Sequence, residues 1–93
     1  MDILKESRDK LDVIDKEMAR LFCERMAIVS DIGRYKKDNN LPVLDRAREE
    51  SMIEKNSAKV DERFREYYVM FLEGMLAASR QYQTDKYIND DNK

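Results

Sequence analysis

The residues able to do chemistry in this chain are cations, carboxylates, an amide and a hydroxyl, set at helical spacing. Arg25 interrupts an apolar series between Met18 and Ile32, at a position where a hydrophobe belongs. Burying a guanidinium without an anion costs several kcal/mol, so something must meet it. Two partners fit. A carboxylate on a neighbouring helix would make Arg25 a register-setting structural residue; an anionic ligand would make it a binding group. Lys36 follows eleven residues later, which leaves an angular offset of only about 20° on a helix. The two cations therefore share one face, separated by about 16 Å along the axis. Two long side chains leaning across that gap can grip one small anion, although a solvated lysine near a helix C-terminus is common. Further along, Leu72, Leu76, Ser79 and Gln83 form a row at 4-3-4 spacing, an apolar row that turns polar at its end. Ser79 and Gln83 can thus aim a hydroxyl and an amide into one pocket. Asp45, Arg48 and Glu49 crowd the first turn of another helical segment, where capping and dipole complementarity account for each residue singly.

Three helices and a tail must position these groups. The first is predicted from about Ile3 to about Lys37, with Leu4, Leu11, Met18 and Ile32 at one heptad seam position and Ile14, Leu21, Ile28 and Tyr35 at the other. Val13, Phe22 and Val29 widen the stripe. Gly33 costs about 1 kcal/mol relative to alanine without breaking the pattern. Such a helix is about 50 Å long, whereas a compact chain of this size has a radius of gyration of about 12 Å. Its seam would stand in water on a monomer, so an oligomer is expected. The Asp38-Asn39-Asn40-Leu41-Pro42 stretch ends the helix, because Asn-Asn is turn chemistry and proline disfavours helix before it. Asp45 then caps a short second helix, about Arg46 to Ser57, anchored by Met52 and Ile53. After a connection at Asn56–Asp61, a third helix runs from about Glu62 to Tyr82. Residues 85–93 read as a polar, frayed tail beyond one domain at 1–84.

Composition narrows what such a site can do. The chain has 93 residues, of which 41% are charged and 42% hydrophobic, with two glycines and one proline, the signature of long helices with short connections. The net charge of −2 gives no concentrated positive field for nucleic acid or a membrane surface. With no histidine, a His general base, a Ser-His or Cys-His nucleophile pair and a His-bound metal are all excluded. Cys23 is the lone cysteine, so there is no intrachain disulfide, which suits a reducing cytoplasmic setting. No signal peptide or membrane span is expected.

Taken together, Arg8, Asp12 and Asp15 in a long first helix, then Glu24-Arg25, Gly33, Lys36, Pro42-Val43-x-Asp45-x-x-Arg48-Glu49 and Ser79-x-x-x-Gln83 resemble the all-helical (type II) chorismate mutases. The resemblance covers about residues 3 to 84, and the Pro-Val-x-Asp-x-x-Arg-Glu element is its most specific part. It implies an all-α fold of three helices per chain, forming an intertwined homodimer with two equivalent sites. It also implies the cofactor-free and metal-free rearrangement of chorismate to prephenate, in phenylalanine and tyrosine biosynthesis. By that resemblance Arg8, Arg25 and Lys36 bind the two carboxylates with help from Ser79, and Lys36 and Gln83 donate to the ether oxygen. Glu49 and the backbone near Asp45 hold the ring hydroxyl, while Arg48 lines the pocket and orients Glu49.

The chemistry agrees with the composition. A Claisen rearrangement is unimolecular and pericyclic, and needs no acid, base, nucleophile or metal; positioning and charge stabilisation suffice. Arg8 lies 17 residues before Arg25, about 25 Å along the same helix. A ligand of chorismate's size cannot reach both from one straight helix, so Arg8 is expected to serve the partner chain's site. Two other functions share parts of this pattern. An isochorismate pyruvate-lyase has the same fold and cationic pocket, but the Asp45-x-x-Arg48-Glu49 element and Ser79 favour the mutase. A non-catalytic dimeric helical module follows if Arg25 and Lys36 are only structural.

Overall fold

A computed structural model describes residues 2–89, and all the regular structure in them is helical. Helix α1 spans Ile3–Asp38, α2 spans Arg46–Ser57 and α3 spans Glu62–Gln83. Local chemistry sets each boundary. The Asp2 carboxylate accepts the Lys5 amide at 3.1 Å to start α1, and Lys36 and Lys37 lie at its negative end. Asn39 donates its side-chain amide to the Tyr35 carbonyl at 2.8 Å. Asn40 then turns the chain with φ of 57°, a left-handed conformation that asparagine tolerates. Asp45 caps α2 by accepting the Arg48 amide at 3.0 Å, as its sequence position predicts. At the next junction Arg65 closes the Ala58–Asp61 connection, donating to the carbonyls of Ser57 and Val60, each at 2.9 Å.

The core is small. Met52 from α2 packs with Leu72 and Leu76 from α3, flanked by Ile53, Tyr68 and Met75. On α1 only Val29 and Gly33 are buried. The four buried residues of α3 are Leu72, Leu76, Ser79 and Gln83, the row that the 4-3-4 spacing picks out. Contacts from Arg25 to Ser79, Ser30 to Tyr82 and Gly33 to Gln83 advance together along both helices. Therefore α3 runs beside the C-terminal half of α1 in the same sense.

Among the described residues the heptad seam of α1 is left largely open: its eight apolar residues are between 42% (Met18) and 63% (Tyr35) exposed. The radius of gyration is 16.8 Å and the long dimension 57 Å, against about 12 Å for a compact chain of this length. Along the free half of α1, Arg20 pairs with Glu17 and Glu24. The Arg20 guanidinium holds the Glu17 carboxyl below its ordinary range.

One expectation is corrected. The residues after Gln83 do not fray at once, because Thr84–Asn89 continue α3 as a π-helical extension with Tyr87 buried. Composition marks this stretch as polar, but a single aromatic at the right position anchors it. The Tyr87 ring lies on Gly33, and its hydroxyl meets Ser30 Oγ at 2.7 Å. The last part of the expected tail, residues 90–93, lies outside the described residues.

Candidate active site

The site is built where one face of α1 meets the polar end of the α3 row. On α1, Arg25, Val29, Gly33 and Lys36 follow one another at 4-4-3 spacing and so share a face. Val29 and Gly33 bury the middle of that face, leaving a half-buried cation at each end. Opposite lie Ser79, 5% exposed, and Gln83, 6% exposed.

Arg25 donates from Nη1 to Ser79 Oγ at 2.7 Å, and Ser79 in turn donates to the Met75 carbonyl at 3.0 Å. The seam arginine thus meets a neutral hydroxyl rather than a carboxylate. Among the described residues its charge is oriented but not neutralised, which leaves it available to an anion. Lys36 donates to the Val43 carbonyl at 2.8 Å. That bond ties the far end of the cationic face to the reversal just before Asp45.

Gln83 closes α3 against the backbone of Gly33. A Cβ at Gly33 would come within 3.0 Å of Gln83 Cγ, so the glycine supplies the close approach. Among the described residues, Gln83 Oε1 is the one fully buried side-chain oxygen or nitrogen without a hydrogen-bond partner. Leaving such a group unpaired costs about 1–3 kcal/mol. A cost of that kind persists where a group is held for a ligand rather than for the fold. Glu49 reaches the same end of α3 from α2 and is held there by an ion pair with Arg80.

The chain therefore brings Arg25 and Ser79 into contact, and sets Gln83 and Lys36 on successive turns of the same interface. Asp45 acts through its cap on α2. Arg48 is exposed, and Arg80 is the cation on Glu49. Arg8 is exposed on the free half of α1, away from all of these. Arg80 and Tyr87 are absent from the sequence reading. Arg80 follows Ser79 directly and reads as an ordinary basic residue at a helix end. The available signal for Tyr87 was Gly33, a glycine tolerated deep inside a long helix, where a packing reason is the usual cause.

The sequence matches the chorismate mutase type II family over residues 7–84. The chain belongs to that family. The matched stretch takes in Arg8, Arg25, Lys36, Asp45, Arg48, Glu49, Ser79 and Gln83. Among curated proteins, this type II chain is 35% identical over 54 residues to the T-protein of Haemophilus influenzae, covering 58% of the chain and 14% of that protein. It is 42% identical over 55 residues to a bifunctional chorismate mutase/prephenate dehydratase of Aquifex aeolicus, covering 59% of the chain and 15% of that protein. The aligned stretch is thus about one seventh of each relative's length. No solved structure matches the chain significantly. Among the described residues no helix is long and apolar enough to cross a membrane, and no acidic or cysteine cluster could hold a metal ion.

Proposed function

We propose that this chain is a chorismate mutase, an isomerase that converts chorismate to prephenate by a cofactor-free Claisen rearrangement in aromatic amino acid biosynthesis. The observation that carries the reading is the junction of Arg25 with Ser79 beside the buried, unpaired amide of Gln83. It sets an uncompensated cation and an unsatisfied polar group on one interface of a type II chain.

The reaction needs a dianion folded into a reactive conformer, with the negative charge that develops on the breaking ether oxygen stabilised. Arg25, steadied by Ser79, takes one carboxylate. Lys36 exchanges its bond to the Val43 carbonyl for the substrate, donating to a carboxylate and the ether oxygen. Gln83 donates to the same oxygen through its amide nitrogen, and its side-chain oxygen and nitrogen can exchange places by a half-turn. Glu49, oriented by Arg80, accepts from the ring hydroxyl beside the Asp45 backbone, and Arg48 lines the entrance. In a site closed to water, preorganised cations act on developing charge far more strongly than in solvent. Holding the reacting ends together removes much of the remaining barrier.

A homodimer completes the site. The bare α1 seam and the open apolar groove of about 900 Å³ beside Met18, Phe22 and Phe71 support it. Arg8, about 25 Å from Arg25 along the helix, then serves the partner's site. A cytoplasmic location agrees with the lone, exposed Cys23.

The test is incubation of the purified protein with chorismate and, separately, with isochorismate. Prephenate from chorismate is the expected result. Salicylate and pyruvate from isochorismate would reassign the site to a lyase, and the absence of any product would leave a helical dimer module.

A further inference from the structure

Among the described residues no hydrogen bond holds the amide oxygen of Gln83, which is fully buried. What confines the side chain is packing. On one side lies the bare backbone of Gly33. Beside it, over the same Gly33, lies Tyr87, four residues later in the chain. The two side chains share the space above one Cα: a Cβ at Gly33 would fall 2.7 Å from Tyr87 Cδ2 and Cε2 and 3.0 Å from Gln83 Cγ. Both are more than nine-tenths buried, Tyr87 at 8% and Gln83 at 6% exposure. The ring is itself fixed at its far end. Its hydroxyl is 2.7 Å from Ser30 Oγ, and Ser30 also accepts from Tyr82 at 3.1 Å. The segment that delivers Tyr87 is the π-helical turn at Thr84–Asn89, a rare geometry that is frequent at functional sites. Tyr87 lies beyond the family match, which ends at residue 84.

We propose that Tyr87 is a positioning residue for the rearrangement: its ring, seated on Gly33 and tied to Ser30, confines the Gln83 side chain so that the amide points at the ether oxygen. This inference rests on the mutase reading above. A long amide side chain held only by packing regains rotamers when the packing is removed, and small misplacements of a reacting group cost large factors in rate. The loss falls on kcat rather than KM, because Gln83 acts on charge that develops only in the transition state.

The experiment is a double-mutant cycle on the full chain, with chorismate as substrate. Tyr87→Ala is expected to lower kcat about tenfold with KM changed less than about twofold, and in a Gln83→Ala background to change the residual kcat by less than about twofold. Tyr87→Phe, which keeps the ring on Gly33, is expected to retain kcat within about threefold of the unaltered chain. Tyr87→Leu, which removes the ring but keeps an apolar side chain over Gly33, should also lower kcat with little change in KM. It replaces Tyr87→Ala in the cycle if that variant loses its helical circular dichroism. An unchanged kcat in Tyr87→Ala, or an equal loss with and without Gln83, overturns the positioning role while leaving the mutase reading intact. An unaltered chain that makes no prephenate overturns both.

Discussion

At the scale of single residues, the candidate site sets a permanent cation, Arg25, against a neutral hydroxyl and near a neutral, buried amide. Arg25 is oriented by a neutral hydroxyl 2.7 Å away, and among the described residues no carboxylate pairs with it. Gln83 brings a donor that carries no charge. That choice has a measurable consequence. In Gln83→Glu the introduced carboxylate repels the developing negative charge at neutral pH, and activity should fall by two orders of magnitude or more, about 3 kcal/mol. The protonated acid can donate again, so activity should return as the pH falls through the carboxyl's pKa. Burial raises that pKa by disfavouring the charge, and the neighbouring cations lower it. The sign is unambiguous whichever effect is larger: the activity lies on the acid side. A kcat profile of the variant from neutral to acid pH, beside the unaltered chain, checks it. A flat profile would place Gln83 outside the site.

At the scale of elements, a single row on α3 does two jobs. Leu72 and Leu76 fill the core, and Ser79 and Gln83 carry the same buried line into the site. Leu72, at 1% exposure, is the most deeply buried large side chain among the described residues. Leu72→Ala removes its methyl groups from a core of few residues and should cost about 2–5 kcal/mol, read as a lower denaturant midpoint at fixed protein concentration. The helices were legible in the sequence because local rules decide them. Asp45 caps α2 at the predicted residue, Asn39 and Asn40 make the turn, and the 4-3-4 row is the buried row. Two residues that meet in the candidate site, Arg25 and Ser79, were legible as exceptions to periodicity. The rest depends on contacts between elements far apart in sequence. The pairing of Glu49 with Arg80 joins α2 to α3, and no local rule distinguishes Arg80 from any other arginine at a helix end. The seat of Tyr87 on Gly33 joins two positions more than fifty residues apart. From one strand of sequence, a polar C-terminal stretch reads as a tail.

At the scale of the whole molecule, an elongated chain with a bare apolar seam is an unstable arrangement for an isolated monomer. Folding and dimerisation should therefore be coupled, with the thermal midpoint rising as protein concentration is raised. A concentration-independent midpoint would mean that the seam has no partner copy. The sharper consequence concerns which chain supplies which cation. In the proposed dimer Arg25 serves its own chain's site, whereas Arg8, about 25 Å from it along α1, would serve the partner's. Arg8→Ala and Arg25→Ala should each cost a few kcal/mol of transition-state stabilisation, measured as the fall in kcat/KM. In a mixed dimer of the two variants, one site collects both lesions and the other collects neither. Co-refolding the two inactive proteins should restore up to half of the unaltered activity per heterodimer, since one of two sites is intact. A purely structural role for either arginine predicts no such recovery, because damage to packing is not repaired by a partner damaged elsewhere. If mass measurement confirms the heterodimers and they remain inactive, Arg8 does not act across the interface, and its role in the site must be withdrawn.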